Sequence, residues 1–276
     1  MTLFQAILLG VVQGLTEYIP VRSTAHLLLV PWLLGWQYDP ASTFVFTVLV
    51  QWGTLLGVVI YFRSDIAAIA RSMAGSARRG QPLAEPEARL GWFVLAATVP
   101  AAIFGLLLES FFESTFGATP VTIVLLIATA GLLLAAERWG ERQRTLETMR
   151  PADAIPIGLW QVLSLVPGVS RSGATVSGGM LRGFVRPDAA RFSFLMSIPA
   201  LLGAGVVALK DLLGTPGLLS SLFGPLAAGF IASTVSGYLC VRWLLGYLRR
   251  RSFDSFALYR VVFGWLCLIV LLTRGG

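Results

Sequence analysis

Two polar clusters stand out as able to do chemistry in an otherwise apolar chain. Between Leu165 and Met180 the sequence reads Leu-Val-Pro-Gly-Val-Ser-Arg-Ser-Gly-Ala-Thr-Val-Ser-Gly-Gly-Met. Four hydroxyls (Ser170, Ser172, Thr175, Ser177) and the guanidinium of Arg171 fall within eight positions. Pro167-Gly168 breaks the chain, so the cluster lies on a turn leading into a helix that begins near Ser172. A helix N-terminus after such a turn offers unshared N–H groups and the positive end of the helix dipole, an anion site. Arg171 adds a planar fork matched to phosphate oxygens. A serine-capped polar turn would explain the hydroxyls but not the arginine, since an unpaired charge at membrane depth is costly.

The second cluster is Gln13, Glu17, Arg22, Ser23 and His26. Gln13 and Glu17 are four apart and share a helical face. His26 is the chain's one histidine. Alone it would read as a packing residue, but it follows a buried acid by nine positions and lies in a hairpin with Ser23. One cluster thus holds acid, serine and histidine, and the other holds arginine and an N–H-rich turn. A nucleophile or base on one side and an electrophile clamp on the other suggest an enzyme acting on a phosphorylated ligand. Intramembrane acids are scarce, so without substrate Arg171 should pair with Glu17 or a bound anion.

The elements that must position these groups follow from composition. The 276 residues are 56% hydrophobic and 13% charged, with mean hydropathy +0.77, which points to an all-α polytopic membrane protein. The net charge of +7 is nearly all arginine, with Lys210 the one lysine. It reads as loop arginines facing anionic lipid and not nucleic acid. Cys240 and Cys267 lie in apolar runs and suit buried free thiols. The N-terminus lacks a basic region, and Gln13 and Glu17 interrupt its apolar run, so no cleaved signal peptide is expected.

Residues 3–15 and 27–34 are apolar but too short to cross about 30 Å of hydrocarbon, and they flank the first cluster. Residues 153–166 and the stretch to Met180 flank the second in the same way. Each pair reads as a re-entrant hairpin. Six full spans are expected near 44–62, 90–108, 119–137, 191–209, 222–246 and 256–273, with 63–89 a polar loop. A shift of 148 pairs Gln13 with Gln161, Thr16 with Ser164 and Phe44 with Phe192, and a shift of 147 pairs Pro20 with Pro167 and Ser23 with Ser170. Residues 1–143 and 148–276 are therefore read as an internal repeat within one integral membrane domain, 1–276. The basic loops 63–89, 138–150, 182–191 and 249–251 belong on the cytoplasmic side, and the loops 109–118 (with Glu109 and Glu113) and 210–221 outside. With three spans per half, the second repeat must be inverted, which carries both breaks towards one midplane site.

The run Gln13-Gly-Leu-Thr-Glu17-Tyr-Ile-Pro20-Val-Arg-Ser23-Thr-Ala-His26, with Pro167-Gly-Val-Ser170-Arg171-Ser172-Gly-Ala-Thr175, resembles the bacterial undecaprenyl pyrophosphate phosphatase family. The resemblance covers essentially the whole chain, including Ser252 to Arg260. It implies a multi-pass enzyme of the bacterial inner membrane, with six spans and two re-entrant hairpins in an inverted repeat. Its reaction would remove the terminal phosphate of undecaprenyl diphosphate with a divalent cation, Mg²⁺ or Ca²⁺, recycling the lipid carrier for cell-wall synthesis. Its partners would be undecaprenyl diphosphate and membrane lipid, with a homodimer to be tested. The implied catalytic set is Glu17, Ser23, His26 and Arg171. The phosphate set is Ser170, Arg171, Ser172, Thr175 and Arg22, and the metal set Glu17 and Gln13. Either Ser23 or water is the nucleophile, and His26 would activate Ser23 or protonate the leaving group. Where the family usually has a serine this chain has Arg22, which either adds charge for the phosphate or occupies room that metal or substrate needs; it should point into or beside the cavity, and Arg22→Ser should preserve or raise activity. The rival reading is a carrier that flips polyprenyl phosphate without hydrolysis, since inverted repeats with broken helices are also a transporter design.

Overall fold

The computed structural model describes residues 1–107, 119–166, 168–213 and 223–274. Among them every regular element is helical, apart from one isolated bridge between Arg144 and Phe184. The helices are α1 (Leu3–Tyr18), α2 (Ser23–Leu33), α3 (Pro40–Tyr61), α4 (Arg63–Arg78), α5 (Pro86–Leu107), α6 (Thr119–Ala128) and α7 (Ala130–Trp139). A 3₁₀ turn (Leu146–Thr148) precedes α8 (Pro151–Leu163), α9 (Arg171–Leu181), α10 (Arg186–Leu213), α11 (Phe223–Leu248) and α12 (Asp254–Thr273). Among the described residues five segments are long and apolar enough to cross a membrane by length and composition: Thr43–Tyr61, Pro86–Leu107, Thr119–Trp139, Phe223–Leu248 and Asp254–Thr273. The chain is a multi-pass membrane protein. The span expected at 191–209 lies inside α10, whose first turns carry Arg186, Asp188 and Arg191. The loop 109–118, with Glu109 and Glu113, lies outside the described residues, as does most of 210–221.

One expectation is corrected. Residues 63–89 are not simply a polar loop, because α4 occupies most of their first two-thirds. Ile66, Ile69 and Met73 recur at three and four positions and line one side of an apolar groove closed by Gly91, Val94 and Leu195. Arg63, Arg71 and Arg78 take other positions of α4, so apolar and charged residues separate as on an amphipathic helix.

The packing is reciprocal between the halves. α1 lies against α11, and α8 lies against α5. Small residues allow the first approach: a Cβ on Gly10 would meet the Gly229 carbonyl at 2.5 Å. Gly10 faces Gly229 and Gly14 faces Ser236 and Gly237, so α1 runs in the same direction as α11. α2 returns, and its end meets the end of α12, where Arg274 donates to the carbonyls of Trp32 (2.8 Å) and Leu33 (3.0 Å). α8 and α9 also form a hairpin. Its closing residue Arg182 pairs with Asp153 in the first turn of α8 at 2.8 Å.

Asp153, 1% exposed, also accepts from Arg144 at 2.6 Å and from the Arg150 N–H at 3.0 Å. Burial alone would raise this carboxyl, but the donors from Arg144, Arg150 and Arg182 outweigh it and hold it below the ordinary aspartate range. Glu137 does similar work at the end of α7, accepting from Arg186, Arg142 and the Phe253 N–H.

A candidate active site where two helix breaks meet

α1 ends where Ile19 turns extended (ψ 136°) before Pro20, which has no N–H with which to continue a helix. The last turns of α1 therefore carry Gln13 and Glu17 to the tip of the first hairpin. α2 restarts at Ser23, which returns beside Glu17. The Glu17 carboxylate, in a residue 8% exposed, takes three donors. Oε2 accepts from Gln13 Nε2 at 2.9 Å and from Ser23 Oγ at 2.5 Å. Oε1 accepts from Arg171 NH2 at 2.7 Å. The pairing of Arg171 with Glu17, expected from the scarcity of acids, is present. It joins the two halves across 154 positions.

The second break lies between Leu163 and Arg171, and Gly168 takes φ 85°, a backbone that glycine adopts without penalty. Ser170 caps α9 by accepting from the Gly173 N–H at 3.2 Å. Its hydroxyl is 3.1 Å from that of Ser172, which donates to the Ile19 carbonyl at 3.3 Å. The first-turn N–H groups of Arg171 and Ser172 have no intrahelical acceptor. Thr175 sits one turn further on, bonded to the Arg171 carbonyl at 2.8 Å and to Ser193 at 2.5 Å. Its hydroxyl is turned to α10.

His26 does not bond Ser23. Its Nδ1 faces the Arg22 carbonyl at 2.8 Å and so carries the proton, and its Nε2 is 2.8 Å from the Tyr259 hydroxyl. The ring stacks on Phe263 at 4.6 Å. The Arg22 guanidinium lies on the main-chain carbonyls of Ser164 (2.9 Å) and Val169. Arg260, 1% exposed, donates to the carbonyls of Leu126 (3.2 Å) and Gly168 (3.4 Å) and to Thr129 Oγ1. Tyr259, Arg260 and Thr129 are the residues that sequence reasoning left without a role. The available signal was the arginine itself, an intramembrane charge in an apolar helix.

Among the described residues two polar atoms at this site have no partner: Gln13 Oε1 and Arg171 NH1. The first is a buried oxygen on the amide that already holds Glu17, and the second is a buried guanidinium nitrogen with unspent donor capacity. Among the described residues no group of three or more His, Cys, Asp or Glu side chains comes together. One carboxylate and one amide oxygen make a sparse donor set. It fits a Mg²⁺-type ion, which takes few protein ligands and completes its shell with water and phosphate oxygens.

The family model described as bacitracin resistance protein BacA matches residues 6–266. The chain belongs to the BacA family. Among its relatives is a protein of Rubrobacter xylanophilus, named undecaprenyl-diphosphatase, 46% identical over 271 residues, 98% of each chain. Proteins of the same name from Myxococcus xanthus and Gloeobacter violaceus are 45% and 43% identical, covering 99% of this chain and 90% and 93% of theirs.

Proposed function

We infer that this protein is an undecaprenyl-diphosphate phosphatase of the bacterial inner membrane, releasing the terminal phosphate and returning undecaprenyl phosphate to cell-wall synthesis. The observation that carries the reading is the single Glu17 carboxylate shared by Ser23 Oγ and Arg171 NH2. A hydroxyl with its base and a phosphate clamp are separated only by the width of one carboxylate. Family membership and the relatives' names support the same reaction. The flipping carrier has no observation in its favour.

In this reading the diphosphate takes Arg171 from Glu17, with Arg171 NH1, the N–H groups of Arg171 and Ser172, and the Ser170 hydroxyl completing the cradle. Loss of the Arg171 pair vacates Glu17 Oε1, while Oε2 keeps the Ser23 hydroxyl and is placed to accept its proton. Ser23 Oγ attacks the terminal phosphorus and its proton passes to Glu17. The bridging P–O bond breaks and undecaprenyl phosphate leaves, and water then cleaves the phosphoserine to release phosphate and free Ser23. Gln13 and Glu17 would hold the divalent cation, which supplies charge neutralisation on the phosphoryl oxygens. His26, held by Arg22 and Tyr259, buttresses the start of α2.

The architecture in this reading is six spans with the two hairpins re-entering from opposite faces in an inverted repeat. The reciprocal packing of α1 on α11 and of α8 on α5 supports it. So does the return of each hairpin to its starting level, at Arg274 for one and at Asp153–Arg182 for the other.

The test is phosphate release from pure C55 diphosphate by purified protein in detergent. Ser23→Ala should abolish release and leave lipid binding near the wild-type level. Undiminished release by that variant would remove the serine as nucleophile. No release by the wild-type protein would overturn the enzyme reading.

A further inference from the structure

Arg22 is where this chain departs from the pattern its first motif resembles, and its surroundings are specific. Its φ is 70°, the left-handed region that side chains other than glycine rarely occupy. It has no carboxylate within ion-pair distance among the described residues. Its polar partners are main-chain atoms and the histidine. The Arg22 carbonyl accepts from His26 Nδ1 at 2.8 Å, within the first hairpin. Its NH1 donates to the carbonyls of Ser164 (2.9 Å) and Val169, at the two ends of the turn in the second hairpin. From the other side Arg260 and Thr129 hold the Gly168 carbonyl, at 3.4 and 3.3 Å. A trans peptide points its N–H opposite its C=O. Fixing the Gly168 and Val169 carbonyls therefore fixes the N–H groups of Val169 and Ser170, the residues that lead into Arg171.

We propose that Arg22 is a positioning residue, a strap from the first hairpin to the second that holds the 164–170 turn and thereby sets Arg171 and the start of α9 against Ser23 and Glu17. The proposal rests on the phosphatase reading for what the positioning achieves. It replaces the expectation that Arg22 is a phosphate ligand whose removal is harmless. A strap acts when Arg171 leaves Glu17 for the substrate, because at that moment the ion pair between the halves is lost and another link must keep them in register. Loss of the strap should therefore lower turnover more than it weakens substrate capture.

The cleanest variant is Arg22→Gly. Glycine takes φ 70° freely and keeps the carbonyl that holds His26, so only the guanidinium is removed. Arg22→Ser, which installs the usual residue of the motif, is the second variant should the first fail to fold. Two measurements are made on detergent-purified protein. The first is amide hydrogen exchange over residues 164–172, and the second is kcat and KM for C55 diphosphate. The strap predicts exchange about tenfold faster in that segment and kcat lowered about tenfold, with KM held within about twofold. A raised KM with unchanged kcat and exchange would make Arg22 a substrate ligand and overturn the proposal. Wild-type exchange and wild-type kinetics in a folded variant would overturn it as well. If the wild-type protein shows no turnover, the phosphatase reading fails, while the exchange result still decides whether Arg22 straps the two hairpins.

Discussion

Glu17 accepts from Gln13, Ser23 and Arg171 at once, through both carboxylate oxygens. An amide in its place would present one oxygen to three donors and turn an N–H₂ towards one of them. Glu17→Gln should lose nearly all turnover while the protein stays folded in detergent. Retention of more than about a tenth of the activity, a loss under roughly 1.4 kcal/mol of barrier, would remove Glu17 from the mechanism. Arg171→Lys keeps the charge but replaces a planar fork by a single ammonium. With NH2 on Glu17 and NH1 unpartnered, both nitrogens have work once phosphate arrives. The lysine variant should fall in kcat by about a hundredfold, and a loss of only two- or threefold would mean that a point charge suffices. The pairing of Glu17 with Arg171 was legible in the sequence because polar side chains in an apolar chain demand partners, and these two had few to choose from. The partner of His26 was not legible. Tyr259 lies 233 positions away, and no local spacing announces a contact made only by folding.

At the scale of elements the two breaks were readable, since Pro20 and Pro167-Gly168 punctuate apolar runs too short to span. Helix α4 was not, because its arginines outweighed the spacing of Ile66, Ile69 and Met73, which gains meaning only against the groove they line with α5 and α10. Also hidden was what closes the second hairpin. The buried Asp153 gathers Arg144, Arg182 and the Arg150 N–H around its carboxylate, so a single acid joins the start of α8 to the end of α9. Asp153→Asn should lower stability by about 2–3 kcal/mol, measured as thermal unfolding in detergent near neutral pH. The dependence on pH has a definite sign. The folded carboxyl lies below its ordinary value, so its contribution is present above the unfolded value of about 3.9 and is lost as pH falls through the folded one. The gap between wild type and variant should therefore hold from neutrality to about pH 5 and narrow below about pH 4. A gap independent of pH would mean that the cluster stabilises by packing and not by charge.

The whole molecule is built so that neither half has a complete site. Gln13, Glu17 and Ser23 come from the first hairpin and Ser170, Arg171 and Ser172 from the second. The tips touch through Arg22 and through the Glu17–Arg171 pair. In the proposed architecture the hairpins enter from opposite sides, and the directions of the helices support it: α1 follows α11, while α8 starts at the Asp153 cluster beside the 140–150 connection. The same directions fix where the basic connections emerge. α3 and α5 are joined through α4, and the paired ends of α7 and α8 are joined through residues 140–150. Crossing once through α5 and once through the α6–α7 segment returns the chain to its starting side. Arg78 and Arg144 should therefore lie on the same face, the cytoplasmic one by the excess of arginine there. Single cysteines at these two positions, introduced separately, should react with a membrane-impermeant thiol reagent only in inside-out vesicles. Background should be low because the native Cys240 and Cys267 are buried. Labelling of the two positions from opposite faces would break the proposed odd count of spans in each half, and with it the proposed inversion in which one hairpin supplies the base and the other the clamp.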